Sequence, residues 1–142
     1  MPRQKRPSTA GEAEVFDLAT GAPRGDVDPD PTLLIRRHLR SGQRVRFPGN
    51  VVILGDVNPG AEIQADGDIV VMGTLRGLAH AGARGDASRV IVAFRLAATQ
   101  LRIARFIARA PEDDAPPAVP EVAVVRDGQV LIDSYTQLDN GR

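Results

Sequence analysis

Catalysis needs nucleophiles, titratable groups or metal ligands at workable spacing, and this chain of 142 residues offers few. It has two histidines, His38 and His80, and no cysteine. Thiolate ligation and disulfides are therefore excluded, and two histidines without cysteine argue against a zinc site. His80, in Leu78-Ala-His-Ala-Gly82, has the chemistry of a general base; the plainer expectation is a histidine at a corner of the chain, bonded to backbone. Asp66 and Asp68 flank Gly67 and are expected to serve a turn, because an aspartate side chain readily bonds its own backbone. No lysine follows the Gly55-Asp-Val-Asn-Pro-Gly60 segment, and no Gly-x-Gly-x-x-Gly opens a helix, so neither phosphate-binding signature is present. No catalytic residue, metal ligand or cofactor site is assigned.

The richer chemistry is that of recognition. Arg36-Arg-His-Leu-Arg-Ser-Gly-Gln-Arg44, with Arg46 beyond, carries five arginines. A guanidinium pairs a carboxylate at two points while its stem covers apolar surface, which suits an interface anchor. Ser41-Gly42 allows a tight turn and the close approach of a partner. The same residues are equally compatible with a solvated basic edge around an ordinary turn.

These side chains must be positioned by a repeat. Val45, Val51, Val57, Ile63, Ile69, Leu75 and Ala81 fall every sixth residue. Gly49, Gly67 and Gly85 are 18 apart, as are Gly55 and Gly73. Three six-residue sides per coil predict an all-β, triangular solenoid. Alternate residues of a strand point to opposite faces. If Val51, Ile53, Ile69 and Val71 point inward, then Val52, Leu54, Val70 and Met72 point outward, and Val90-Ile-Val-Ala-Phe94 repeats the pattern after an insertion around Ala87–Arg89. One outer wall is then aliphatic, a surface expected to meet a partner. Two identical walls meeting about a two-fold axis give a homodimer.

Composition agrees. The aromatic fraction is 4% and there is no tryptophan, as a narrow interior of small aliphatics requires. The net charge is zero, which argues against a general nucleic-acid binder. No apolar run reaches the length of a membrane span, and the basic N-terminus lacks the apolar region of a secretory signal. A cytoplasmic protein is expected.

Along the chain, residues 1–31 read as a flexible arm with one apolar island, Val15-Phe-Asp-Leu18, and residues 32–110 as the β-helix. Residues 32–40 are expected to be extended, and Gln100–Ala108 is expected to be a strand on the last coil. Residues 111–120 form a Pro-rich acidic linker, and 121–142 a hairpin and tail. Asp127-Gly128 between two apolar runs signals that hairpin, which is expected to cover one end of the solenoid.

Four segments in order, Arg40-Ser-Gly-Gln43, Gly55-Asp-Val-Asn-Pro-Gly-Ala-Glu62, Ala65-Asp-Gly-Asp-Ile69 and Leu75-Arg-Gly-Leu-Ala-His-Ala-Gly82, resemble the C-terminal domain of the bacterial septum site-determining protein MinC. The resemblance spans roughly residues 32–108. It implies a right-handed helix that dimerises through one wall. It also implies a non-enzymatic regulator of division-site placement, held at the inner membrane face only indirectly, through the ATP-bound ATPase MinD. Arg40, Ser41, Gly42 and Gln43 carry over as the MinD-binding element, with Arg76 and Gly77 in a second family motif. Family members usually carry a separate N-terminal α/β domain that antagonises FtsZ polymerisation. Roughly thirty residues before the match are too few for one, so contact with FtsZ is implied less directly than contact with MinD. Two other classes share the period: a hexapeptide-repeat acyltransferase using His80, and a self-polymerising β-helix of the bactofilin sort.

Overall fold

The computed structural model describes residues 18–20, 28–109 and 119–135. The chain divides into two units, Met1–Pro31 and Thr32–Arg142, and every described strand belongs to the second. The greater part of the expected arm, residue 110, residues 111–118 of the expected linker and residues 136–142 lie outside the described residues, as does the island apart from Leu18.

Strands β1 (Thr32–Ile35), β3 (Asn50–Ile53), β5 (Ile69–Leu75) and β7 (Ile91–Leu96) stack in parallel as one wall. Strands β2 (Arg44–Phe47), β4 (Glu62–Ala65), β6 (Leu78–Ala81) and β8 (Gln100–Ile103) stack as a second. The third side is a ladder of single parallel bridges, Leu39 to Val57 to Leu75. The result is a β-solenoid of about four coils, with no helix among the described residues. Of residues 32–40, only Thr32–Ile35 form a strand; Leu39 enters the third side by its bridge.

The alternation expected from the sequence decides what is inside. Val51, Ile53, Ile69, Val71, Ile91 and Ala93 have no exposed surface. Each fully buried Val or Ile contributes about 1.5–3 kcal/mol through the water it sheds. Where the chain bends between walls, strand pairing leaves amides to be satisfied by side chains. Asn50 Oδ1 accepts the Asp68 N–H at 2.8 Å, and Asp68 Oδ1 accepts the Val90 N–H at 2.9 Å. At the next corner His38 Nδ1 accepts the Asp56 N–H at 2.8 Å, and Asp56 Oδ1 accepts the Thr74 N–H at 2.8 Å. The bonds of the Asp68 carboxylate thus run to the next coil, at Val90 and Arg89, and not to its own turn as expected.

The sixfold spacing needs correction after Leu75. Arg44 pairs with Glu62, 18 residues on, but Glu62 pairs with Leu78, only 16 on. Coil three cuts its corner by two residues, so Ile63 stacks on Ala79 rather than Ala81. Both alanines remain buried, because a shift of two preserves the inside–outside phase of a strand whereas a shift of one inverts it. The next coil is longer: Ile69 pairs with Ile91, and the excess is the loop containing Gly85. That glycine is therefore out of register with Gly49 and Gly67, and it is the Gly82 N–H that bonds the Gly67 carbonyl at 3.1 Å.

Gln100–Ala108 is extended, as expected, but folded in two. β8 reverses at Ala104-Arg105 into β9 (Phe106–Arg109), which pairs with it antiparallel. Two turn residues set Phe106 opposite Ile103, so Ile107 faces outward and is 48% exposed instead of continuing the inward row of Leu101 and Ile103. Ala104 takes φ 53°, a conformation without the glycine or asparagine that normally marks such a turn. The C-terminal hairpin forms as expected: β10 (Glu121–Arg126) and β11 (Gln129–Ser134) pair antiparallel, with Asp127 and Gly128 at φ 52° and 76°. β10 pairs with the free edge of β7, and β9 with that of β8, so both walls are covered at the last coil.

Candidate functional site

The corner between the third side and the β2–β4 wall is built from two stacked turns. In Arg40-Ser41-Gly42-Gln43, the Gln43 N–H donates to the Arg40 carbonyl at 2.9 Å, and Gly42 has φ 86°. One coil below, Asn58-Pro59-Gly60-Ala61 repeats it: the Ala61 N–H donates to the Asn58 carbonyl at 3.0 Å, and Gly60 has φ 88°. This is the pattern of a type II turn, whose third position requires a positive φ and whose second favours proline. The upper turn rests on the lower through the Gly42 N–H to the Gly60 carbonyl, 2.9 Å, and through Ser41, whose hydroxyl occupies the place a side chain at Gly60 would need.

Gln43 closes the upper turn a second time. Its side-chain Oε1 accepts the Arg40 N–H at 2.8 Å, and its carbonyl accepts the Glu62 N–H at 3.0 Å. These bonds hold the backbone and leave the Arg40 side chain exposed, with no ion-pair partner among the described residues. A Cβ placed on Gly42 would meet no described residue within 4 Å, so among the described residues nothing occupies the space beside the turn. Electrostatically, the corner offers a cation beside an unobstructed stretch of backbone.

The structure brings the second motif to the same corner. The Asn58 N–H donates to the Leu39 carbonyl at 2.9 Å and the Arg76 N–H to the Val57 carbonyl at 2.8 Å, which aligns Arg40, Asn58 and Arg76 in one column. At ordinary strand spacing the two arginine backbones are roughly 10 Å apart. Gly77 is where coil three passes beneath the lower turn: a side chain there would strike the carbonyls of Ala61 and Asn58. Gly77 is buried and structural, whereas Arg76 is exposed.

His80 does not sit at a corner. It lies within β6, and its Nε2–H donates to the Ala104 carbonyl at 2.8 Å, holding the β8–β9 turn. That bond accounts for it without catalysis. Among the described residues no group of three or more His, Asp or Glu is placed to hold a metal.

The expected apolar wall is present. Leu54 is 39% and Met72 42% exposed, with Val52 and Val70 half-buried beside them. Leu34, Val92 and Phe94 extend the patch across β1 and β7. Sequence reasoning missed a second surface, the outward face of the other sheet, which carries Arg46, Arg102 and Arg109 on β2, β8 and β9. The signal was available: each occupies an outward position of its strand, but their separation along the chain conceals that they share one face.

Comparison with known proteins gives the family and the fold. A family model described as "Septum formation inhibitor MinC, C-terminal domain" matches residues 33–135. A "Probable septum site-determining protein MinC" of Heliobacterium modesticaldum is 61% identical over 105 residues, 73% of this chain and 36% of that protein. Its counterpart in Symbiobacterium thermophilum is 49% identical over 126 residues, 88% of this chain and 55% of that one. This chain thus spans about half, or less, of the curated relatives it matches. A solved chain of the "MinC:MinD cell division protein complex" of Aquifex aeolicus superposes with a TM-score of 0.71 at 44% identity, covering 73% of this chain and 86% of that one. None of these findings supports the acyltransferase or the bactofilin-like alternative.

Proposed function

The chain belongs to the MinC family, through that family's C-terminal domain, and on that premise we propose that it is a non-enzymatic regulator of division-site placement that binds the ATPase MinD. The carrying observation is the Arg40–Gln43 turn: a rigid, open corner bearing an unpaired cation, in a fold 44% identical to a chain solved in a MinC:MinD complex. Arg40 anchors a carboxylate of MinD, Gly42 admits its backbone, and Ser41 and Gln43 hold the turn in shape. Arg76, two coils along the same column, extends the contact, and Gly77 serves by letting coil three pass beneath the lower turn.

The protein is cytoplasmic and reaches the inner membrane face with ATP-bound MinD. There it helps keep the FtsZ ring from forming at wrong sites. Its apolar wall, with Val52, Leu54, Val70 and Met72 at its centre, pairs with that of a second copy. A dimer offers two turns to membrane-bound MinD, and the second contact becomes effectively intramolecular.

The test is a pull-down on immobilised, ATP-loaded MinD without lipid. Arg40→Ala is expected to cost about 2 kcal/mol, roughly thirtyfold in affinity. Gly42→Asp adds a side chain at a positive φ and on the approach path, and is expected to abolish binding. Unchanged binding by both variants rejects the site.

A further inference from the structure

The outward face of the β2–β4–β6–β8–β9 sheet has a charge character the whole chain lacks. Register places Arg44, Glu62, Leu78, Gln100 and Arg109 in one row across the five strands. Arg46, Gln64, His80, Arg102 and Ile107 form the other. The only carboxylate in either row, Glu62, is engaged by Arg44 at 3.1 Å. Arg46, Arg102 and Arg109 are exposed and have no ion-pair partner among the described residues. The face therefore carries a net charge of three, four arginines less one glutamate, on a chain whose formal net charge is zero.

Two apolar side chains stand among these cations: Leu78 is 44% and Ile107 48% exposed. Cations spread across a broad wall, with aliphatic groups between them, match the interface of an anionic bilayer. There arginine meets phosphate while short apolar side chains enter the headgroup boundary. An acidic peptide fits less well. Extended peptides gain affinity from the backbone groups of a free strand edge; the free edges here belong to β2 and β9, at opposite ends of the sheet, so a peptide added to either reaches only part of the charge, whereas Leu78 and Arg102 project from β6 and β8, which are paired on both sides.

We propose that this arginine-bearing wall makes direct contact with anionic phospholipid. The contact is independent of the MinD reading, since the wall is a different surface from the Arg40 turn and its ligand is lipid. One protomer supplies few charges, so binding is weak and depends steeply on ionic strength. Its effect is to orient a protein already near the membrane.

The experiment is sedimentation with vesicles of equal parts phosphatidylglycerol and phosphatidylcholine, and with phosphatidylcholine alone, with no MinD or nucleotide present. Wild type is expected to sediment with the anionic vesicles only, and to be released by roughly 0.5 M salt. Arg46→Glu with Arg102→Glu should weaken vesicle binding at least tenfold while circular dichroism stays unchanged. The milder pair Arg46→Gln and Arg102→Gln should give a smaller loss if the reversals disturb folding. Arg40→Ala should leave vesicle binding within about twofold, so failure of one proposal is separable from failure of the other. Equal binding to both vesicle types, no binding to either, insensitivity to salt, or capture of an acidic peptide without vesicle binding would each overturn the proposal.

Discussion

The two sheets of the solenoid are alike inside and opposite outside. Both alternate, both bury their inward residues, and both stack in parallel. Outward, the β1–β3–β5–β7 wall shows Val52, Leu54, Val70, Met72 and Phe94, while the other shows Arg44, Arg46, His80 and Arg102. The contrast teaches that a coiled fold separates two tasks on one strand. Inward residues answer only to the neighbouring coils, so outward residues are free to vary with the partner.

The largest break in that comparison comes from the inside. Ile69→Ala removes a fully buried rung between Val51 and Ile91 and is expected to cost about 2–5 kcal/mol, read by denaturant unfolding. The matching change one residue on, Val70→Glu, should leave the monomer folded with a loss of roughly 1 kcal/mol or less. It should shift the protein from dimer to monomer by light scattering, and Val52→Glu should do the same. A Val70→Glu protein that stays dimeric places the dimer on another surface.

The smallest effect tests charge on the apolar side. Glu121 begins β10, the strand added to that wall, and desolvation, with the nearby Asp133 carboxylate as a second cause, raises its carboxyl above the ordinary glutamate value. A raised carboxylate binds more protons folded than unfolded. Stability is therefore lost as pH rises from the ordinary value through the raised one. Glu121→Gln should raise the melting temperature slightly at neutral pH and leave it unchanged in acid below that window. Asp86 behaves oppositely: bonds from the Ser88 hydroxyl and amide and from Arg89 hold its carboxyl below the usual value. Its contribution is present at neutral pH and lost as pH falls through that lowered value.

The Arg40 turn was legible because Ser-Gly within an arginine run is local, and the two bonds that close it, both between Arg40 and Gln43, are made within four residues. Its open surroundings were not. They depend on this turn lying over Asn58–Ala61 with no described residue within 4 Å of a Cβ at Gly42. Likewise Asp127-Gly128 announced a hairpin, while Ala104 reversed the chain without any turn residue. That reversal is held from outside by His80 and by the Ala81 carbonyl, which accepts the Ala104 N–H at 2.9 Å.

By itself the amino-acid order determined the coil period up to Leu75 and which side chains of β3, β4 and β5 are buried, because the pleat is a property of adjacent residues. Which coil skipped two residues, how Arg76 came beneath Arg40, and that distant arginines share one wall were decided by stacking. Those outcomes depend on hydrogen bonds between residues 16 to 22 positions apart, which no local pattern of residues specifies.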